Sequence, residues 1–490
     1  MNIQYKWLLI LLVFGFIACE SDDDSTTTEE VVLTAGTADF SNYVALGNSL
    51  TAGFTDGALF IAGQENSMPN ILSQQFGLVG GGTFSQPLMS DNVGGALLGG
   101  NQILAPRFFF NGAGPAVLPG TPTTEISSIL SGSFNNMGIP GAKSFHLLAN
   151  GYGNIAGLPS LANPYYVRIA SSPNASVIED AMAQSPTFFS LWIGNNDVLG
   201  YALSGGDGTD PITDTATFSQ AYNALIATLT SGGAKGVIAN IPDVTSIPHF
   251  TTVPHNPVPL DAATAAFLNS ASAYGAYNAG IAQAFAGLVM AGAISQEDAD
   301  AELARRTITF SEGEGNAVVI LDEDLTDLTG LNPALINIRQ ATSEDLLVLT
   351  AASFIGTEAV PGNPQTVNGV AIPLADKWVL TPEEQAEIAT ATTAFNATIA
   401  EARDQAGLAF VDANALLEQV ASNGVTFDEF LLQEDLVFGG AFSLDGVHPT
   451  ARGYALLANE ALKAINMTYE SNLPMVKAAD YPTFYSPTLQ

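Results

Sequence analysis

A serine that closely follows a short apolar segment is a candidate nucleophile in this sequence. Ser49 lies in residues 47–54 (G-N-S-L-T-A-G-F), directly after the apolar residues 43–46 and before a helical stretch. A hydroxyl on a tight glycine turn at the carboxyl edge of a sheet is well placed to be a nucleophile, because open α/β folds have their sites there. The segment does not match the G-x-S-x-G elbow of α/β-hydrolases. A helix cap is the alternative role for such a serine.

Asp445 and His448 could supply the two groups that activate a serine. They lie in residues 443–450 (S-L-D-G-V-H-P-T), before a helical pattern over residues 452–464. On a loop, the D-x-x-H spacing lets the carboxylate bind the imidazole Nδ1 and leaves Nε2 available to a serine hydroxyl. For an isolated histidine, the alternative is a solvent-exposed loop residue.

Two further segments could stabilise negative charge on a substrate oxygen. Asn196 follows a second apolar segment, in the G-N-N-D of residues 194–197, where its side-chain amide could donate to an oxyanion. Residues 136–142 (N-M-G-I-P-G-A) form a glycine-marked turn, whose backbone N–H at Gly141 or at Gly138 could do the same. Taken alone, each segment is equally typical of an ordinary turn.

In this order, the four segments resemble the four conserved blocks of the SGNH (GDSL-type) hydrolase superfamily. The resemblance implies that Ser49 is the nucleophile and that Asp445 and His448 complete its triad. It also implies an oxyanion hole formed by the N–H groups of Ser49 and Gly141 and by the side chain of Asn196. The blocks extend from residue 47 to residue 449, so the resemblance covers nearly the whole chain after its leader.

The resemblance has one departure and one structural implication. Asn48 occupies a position where the family usually has Asp. Because asparagine keeps the shape and the hydrogen-bonding reach of aspartate, we expect activity to survive. The family fold is a flavodoxin-like sheet of about five parallel strands with helices on both faces.

The elements that must position these residues alternate between apolar segments and helical patterns. Short, continuous apolar segments predict strands buried on both faces of a parallel sheet, at residues 43–47, 187–194, 236–242 and 409–412. Helical patterns cover residues 177–183, 217–230, 382–406 and 452–464. This alternation predicts an α/β, doubly wound parallel sheet.

Residues near 80–134 and 242–377 interrupt this alternation and are interpreted as two large insertions into one hydrolase domain (38–465). The second insertion has a helical stretch over 262–293. A Tyr/Pro-rich tail follows at 466–490.

The N-terminus has the pattern of a secretion signal. Lys6 precedes the apolar residues 7–18, and this order is typical of a signal peptide over residues 1–18. Cys19, the single cysteine, follows in F-I-A-C, which resembles a bacterial lipobox, and an acidic, apolar-poor tether is expected over residues 19–37. The acidic cluster resembles the surface-export signal of Bacteroidetes-type lipoproteins. We therefore expect lipid anchoring to a bacterial outer membrane, with cell-surface display favoured; the alternative is an ordinary signal peptide and a solvated spacer.

Composition excludes several classes of protein. The 490 residues carry a net charge of −35, which makes nucleic acid an unsuitable partner because phosphates would be repelled. One cysteine excludes an intramolecular disulfide, and the sequence contains no H-E-x-x-H motif and no P-loop. His146 is expected to pack, and His249 and His255 are expected on surface loops, with lining of the substrate cleft as the alternative. No metal and no cofactor are expected.

These observations favour a serine esterase or lipase-like acylhydrolase that cleaves carboxylic esters through an acyl-enzyme on Ser49. The expected partner is an ester substrate, either a lipid or an acylated glycan, and membrane contact is expected only through the N-terminal anchor. Two alternatives stay open: a non-catalytic lipid- or glycan-binding surface lipoprotein on the same fold, and a purely structural surface lipoprotein.

Overall fold

The computed structural model describes residues 32–489. The expected signal peptide, Cys19 and the acidic part of the tether lie outside the described residues. The last residues assigned to the tether are joined to the folded chain: the Thr34 N–H donates to Asn472 Oδ1 at 2.6 Å, and the Thr37 N–H donates to the Tyr469 carbonyl at 2.7 Å. No helix within residues 32–489 has both the length and the apolar character that crossing a membrane requires.

Within this range the chain forms strands that are mostly three to five residues long. They are β1 (Tyr43–Gly47), β2 (Ala96–Leu98), β3 (Asn101–Leu104), β4 (Phe108–Phe110), β5 (Pro115–Val117), β6 (Asn136–Gly138), β7 (Phe188–Trp192), β8 (Lys235–Ala239), β9 (Val258–Leu260), β10 (Gly313–Asn316), β11 (Val319–Leu321), β12 (Ile338–Gln340), β13 (Leu346–Leu347), β14 (Val379–Leu380), β15 (Ala409–Val411), β16 (Val425–Phe427) and β17 (Phe430–Leu432).

The α-helices of the same range vary from single turns to one of 25 residues. They are α1 (Ser49–Ala52), α2 (Ile61–Glu65), α3 (Met68–Gly77), α4 (Pro164–Val167), α5 (Val177–Met182), α6 (Asn196–Leu203), α7 (Thr215–Thr230), α8 (Pro248–Thr251), α9 (Ala262–Leu268), α10 (Tyr274–Met290), α11 (Gln296–Arg306), α12 (Pro382–Ala406), α13 (Ala413–Ser422) and α14 (Ala451–Tyr469).

Five of the strands form one all-parallel sheet, in the order β15-β8-β7-β1-β6. The other strands pair antiparallel in twos. A parallel sheet whose strands alternate with helices is compatible with a doubly wound α/β fold, and the α/β class predicted from the sequence is confirmed. Four of the five strands coincide with predicted segments. The edge strand β6 was expected to be a turn, because its three residues, N-M-G, carry no apolar pattern.

Burial on both faces explains the apolar character of the central strands. All five residues of β1 and all five of β7 are buried, and the register pairs Tyr43 with Phe188. On that face, Phe188 packs edge-on against Phe76 of α3 and Tyr469 of α14. Such strands read as continuous apolar runs because neither side faces water.

The helix α12 has the start and stop signals that its sequence predicts. Thr381 and Glu384 form a capping box, Pro382 is in the first turn, and Gly407 ends the helix at a φ of 63°. Its bounds, Pro382–Ala406, are the predicted ones. The helix packs against α7 through Phe395, which stacks on Phe218 with ring centroids 4.1 Å apart.

The two segments expected as insertions have different contents. Residues 80–134 contain the strand pairs β2–β3 and β4–β5. Residues 253–379 have a hydrophobic cluster of their own, built around Ile281, Phe285 and Val319. The helix predicted over 262–293 is interrupted between α9 and α10. Asn269 ends α9, and its side chain exchanges hydrogen bonds with the Phe310 backbone.

The C-terminal tail packs onto the domain. The α14 helix continues to Tyr469, and Tyr481 and Tyr485 beyond it are buried. Arg107, whose side chain is fully buried, donates to the carbonyls of Ser486 and Leu489 at 2.7 and 3.1 Å. The tail is thereby tied to the segment 80–134.

Candidate active site

Three residues from opposite ends of the chain form one hydrogen-bonded line at the carboxyl edge of the sheet. Ser49 is the first residue of α1, directly after β1, and its Oγ lies 2.9 Å from His448 Nε2. His448 Nδ1 lies 2.8 Å from Asp445 Oδ2. Asp445 and His448 belong to the loop before α14. The structure thus brings together the three residues that the sequence suggested as nucleophile, base and acid.

The turn that carries Ser49 is held by Asn48. The Asn48 Oδ1 accepts from the Leu50 N–H at 3.0 Å and caps α1, while its Nδ2 donates to Asn195 Oδ1 at 3.2 Å. Asn48 is buried, so both bonds are shielded from water. Asparagine at this position therefore supplies the helix cap that an aspartate would supply, and adds a donor toward the segment of Asn196.

The carboxylate of Asp445 is surrounded by donors. Its Oδ1 accepts from the Val447 and His448 N–H groups, each at 2.9 Å, and from the Ser443 hydroxyl at 3.0 Å. Its Oδ2 accepts from the Gly57 N–H at 2.9 Å as well as from the imidazole. Burial raises the pKa of Asp445, but the attraction of His448 and these hydrogen bonds lower it more, so the pKa lies well below its usual range. The ionised carboxylate holds the proton of His448 on Nδ1 and leaves Nε2 as an acceptor for Ser49.

Packing fixes the imidazole ring. Its centroid lies 4.6 Å from that of Phe54, and the Phe54 carbonyl accepts from the Tyr454 hydroxyl of α14 at 2.7 Å. The next residue, Thr55, donates its hydroxyl to the Pro449 carbonyl at 2.9 Å. The chain after α1 is therefore bonded to the residue that follows His448 and to α14.

The groups expected to stabilise an oxyanion lie on the loops after β6 and β7. Asn196 is half-buried at the start of α6, and its Nδ2 donates to the Ala142 carbonyl at 2.9 Å, which leaves one amide hydrogen. Gly141 is exposed at a φ of 81°. Within residues 32–489, neither its N–H nor that of Ser49 donates to a protein acceptor. The Gly138 N–H, in contrast, donates to Asn136 Oδ1 at 3.0 Å, so Gly141 is the better placed of the two glycines.

Gly138 has a packing role instead. A Cβ at this position would clash with the backbone of Ala52 at the end of α1. The absence of a side chain lets β6 approach the helix that begins with Ser49. The spacing N-x-G-x-x-G thus combines a close backbone approach at its first glycine and an open turn at its second.

A buried aspartate that was not among the residues predicted for the site joins the two oxyanion loops. Asp197, fully buried beside Asn196, accepts from the Ser144 N–H and from the Ser144 hydroxyl, both at 2.8 Å. Burial raises the pKa of Asp197, and the Ser144 bonds act against this. Its only sequence signal was its position in the G-N-N-D segment. The bonds hold the loop of Gly141 against the helix of Asn196.

A deep apolar pocket opens beside the Ser49 hydroxyl. Its space of about 810 Å³ is partly open to solvent, and Ser49, Asn195, Asn196 and His448 line one side. The rest of its wall is mainly aliphatic and aromatic and comes from the end of β7, the segment after β8, α13, α14 and the loop before His448: Trp192, Val244, Leu416, Leu417, Val420, Phe442, Val447, Leu456 and Leu457. That α13 forms this wall could not be predicted from the sequence, because its apolar residues are equally typical of a core-facing helix.

A second carboxyl group lies behind the triad. Asp56 is buried at a φ of 52°; its Oδ1 accepts from the Leu444 N–H at 3.0 Å, and its own N–H donates to the Ser443 hydroxyl at 2.9 Å. Burial raises the pKa of Asp56 to about 7, with a smaller contribution from Asp445, while the Leu444 bond and Arg107 act in the other direction. Asp56 therefore supports the segment that presents Asp445.

The remaining histidines are not part of the hydrogen-bonded line. His146 stacks on Tyr152 with centroids 4.6 Å apart, and burial lowers its pKa to about 4. His249 was expected on a surface loop, but it is half-buried against the triad loop, where its N–H donates to the Gly446 carbonyl at 2.9 Å. Burial lowers the pKa of His249 to about 4 as well. His255 is half-buried in the segment 253–379.

No protein-family model, curated protein or solved structure matches this chain. What the site can do chemically therefore follows from its own geometry.

Proposed function

We propose that this protein is a serine ester hydrolase of the SGNH type. The observation that carries the proposal is the continuous line from Ser49 Oγ to His448 Nε2, at 2.9 Å, and from His448 Nδ1 to Asp445 Oδ2, at 2.8 Å. This is the arrangement that serine hydrolases use to generate an alkoxide nucleophile.

The proposed reaction uses five residues. Ser49 attacks the ester carbonyl while His448 takes its proton, and Asp445 stabilises the imidazolium that forms. The N–H groups of Ser49 and Gly141 and the remaining amide hydrogen of Asn196 donate to the oxyanion. His448 returns the proton to the leaving alcohol, and an acyl-enzyme on Ser49 results. A water molecule, activated by the same His448, then releases the acid. No step requires a cofactor.

The topology supports the SGNH assignment. When the five strands of the parallel sheet are numbered by their order along the chain, their order across the sheet is 5-4-3-1-2. This is the flavodoxin-like order 2-1-3-4-5 counted from the other edge. Ser49 follows the first strand, and the oxyanion loops follow the second and third, at the edge where such sheets have their sites. In this interpretation, residues 80–134 and 242–377 are insertions into one hydrolase domain. The second contributes Val244 and Ile247 to the apolar pocket.

The pocket supports an apolar acyl chain as the group transferred to Ser49. The wall of the pocket is mainly aliphatic and aromatic, so a longer acyl chain would bury more apolar surface there than an acetyl group would. Each buried methylene contributes about 0.8 kcal/mol. We therefore propose lipid-like esters rather than acetylated glycans as the substrate.

The alternative is a non-catalytic lipid-binding protein on the same fold, which the same pocket would favour. Hydrolysis of a nitrophenyl ester series from acetyl to dodecanoyl by the purified protein, compared with Ser49→Ala, separates the two. Esterase activity that increases with chain length and is lost in Ser49→Ala supports the proposal. Binding of a fatty acid without turnover of any ester would favour the alternative.

We also propose that the chain is a lipoprotein anchored to the bacterial outer membrane through Cys19. The support is its position as the single cysteine, directly after the apolar residues 7–18. Metabolic labelling with palmitate should be lost in Cys19→Ser, and the protein should leave the membrane fraction. Labelling that persists in the variant would contradict the anchor.

A further inference from the structure

Three carboxylates converge at a position away from the triad. Glu323 follows β11, Asp376 precedes β14, and Glu384 lies in the first turn of α12. One oxygen atom from each lies within 4.8 Å of one from each of the others. The three come from separate segments, so the fold alone brings them together.

Glu384 is the buried member of this carboxylate cluster and has an oxygen without a partner. Its residue is only 5% exposed. The Oε2 atom is used in the capping box, where it accepts from the Thr381 N–H at 2.6 Å and from the Thr381 hydroxyl at 2.8 Å. The Oε1 atom is inaccessible to solvent and accepts no hydrogen bond from residues 32–489. An unpaired carboxylate oxygen in such a position is strongly unfavourable unless a cation or a proton compensates it.

Two glycines in the turn after α6 pack against residues of the carboxylate cluster. Gly205 and Gly206 have φ values of 65° and 76°. A Cβ on Gly206 would clash with Glu384 Oε1, and a Cβ on Gly205 would clash with the Asp376 carbonyl. The main chain therefore lies against the Glu384 carboxylate at Gly206 and against the backbone of Asp376 at Gly205.

No basic residue neutralises the cluster. Within residues 32–489, none of the three carboxylates forms a salt bridge, and Arg305 pairs instead with Asp322 and Glu383. When they are ionised, the three carboxylates repel one another unless a positive charge lies between them.

We propose that Glu323, Asp376 and Glu384 form a binding site for a divalent cation, and that the cation is Ca²⁺. Carboxylate oxygens are the ligands of hard cations such as Ca²⁺ and Mg²⁺. Mg²⁺ keeps several water molecules and is usually held by one or two carboxylates, whereas Ca²⁺ accepts more protein oxygens in a flexible arrangement. The bound ion would join the turn after α6 to the start of α12.

The test begins with protein that has been freed of metal by EDTA. Calorimetric titration with Ca²⁺ should show one saturable site, with weaker binding of Mg²⁺, and Ca²⁺ should raise the melting temperature. Binding of Tb³⁺ in place of Ca²⁺ offers a second readout. Trp378 lies close to Asp376 in sequence and can sensitise the emission of a terbium ion bound there. Trp378→Phe should reduce this emission while calorimetric Ca²⁺ binding is retained.

Two variants separate a cation site from a structural acidic cluster. Asp376→Asn and Glu384→Gln should lose Ca²⁺ binding, and glutamine at 384 keeps the capping box. In EDTA, each should melt above the parent protein because one repelling charge is removed. Glu323→Gln, at an exposed position, tests the third ligand with little risk to folding.

Glu383→Gln is the matched control, because it removes the same charge from the same helix turn outside the cluster. It should bind Ca²⁺ like the parent protein. The proposal is overturned if the parent shows no saturable binding, or if Asp376→Asn and Glu384→Gln bind Ca²⁺ as tightly as Glu383→Gln does.

Discussion

Asn195 and Asn196 are adjacent in sequence, yet the structure predicts opposite consequences for their loss. Asn196 lines the pocket beside Ser49 and has one amide hydrogen that the Ala142 carbonyl does not use. Asn195 also lines this pocket, but it is buried, and its Oδ1 accepts from Asn48 Nδ2. Replacing each by alanine therefore tests oxyanion stabilisation against structural support.

The magnitudes follow from the partners that each change removes. Asn196→Ala deletes a donor whose bond strengthens only in the transition state, so kcat should fall by roughly 10²- to 10³-fold with KM little changed. Its cost in folding stability is one partly exposed hydrogen bond, about 1 kcal/mol. Asn195→Ala leaves the buried Asn48 amide without an acceptor, which costs about 1–3 kcal/mol of stability, while kcat should fall far less.

Steady-state kinetics with a nitrophenyl ester and denaturant unfolding of both variants give the two quantities separately. We expect the variant with the larger loss of kcat, Asn196→Ala, to be the more stable of the two. Equal effects of the two substitutions on kcat, or a loss of kcat that follows the loss of stability, would remove Asn196 from the oxyanion hole.

Three further predictions follow from the surroundings of the site. Asn48→Asp should keep at least half of the parent kcat/KM, because its carboxylate still caps α1 and the Asn195 amide can turn to donate to it; a loss of more than tenfold would show that the Asn48 donor is needed. Burial raises the pKa of Asp56 from 3.8 to about 7, so the folded state binds this proton more tightly than the unfolded chain does, and stability should decrease as the pH rises between these values, by on the order of 4 kcal/mol. Asp56→Asn should flatten this part of the pH profile in urea unfolding experiments, and an unchanged slope would contradict the assignment. Leu416→Trp should fill the pocket and reduce kcat/KM for dodecanoyl esters while acetyl ester hydrolysis is retained; an equal reduction for both would place the acyl chain elsewhere.

The sequence predicted those features that depend on local patterns. Buried strands such as β1 and β7 are continuous apolar runs, and α12 has a proline start and a glycine stop, so their positions could be derived from a few residues each. The D-x-x-H spacing likewise places Asp445 within reach of His448, because only a short loop joins them.

Features that depend on distant segments could not be derived in this way. The edge strand β6 is a strand because β1 pairs with it, and not because of its own residues. The bond between Asp197 and Ser144 joins two loops whose approach is set by the sheet. The apolar wall formed by α13 and the carboxylate cluster around Glu384 exist only after helices from different parts of the chain have packed together.

Covalent labelling of Ser49 is the most direct test of the central claim. A fluorophosphonate probe requires a serine activated by a neighbouring base, so peptide mass spectrometry of the labelled protein should place the adduct on Ser49. Labelling should be lost in Ser49→Ala, strongly slowed in His448→Ala, and unchanged in the control His255→Ala, whose histidine lies outside the triad. An adduct on another serine, or labelling of Ser49 that does not depend on His448, would contradict the proposed catalytic triad.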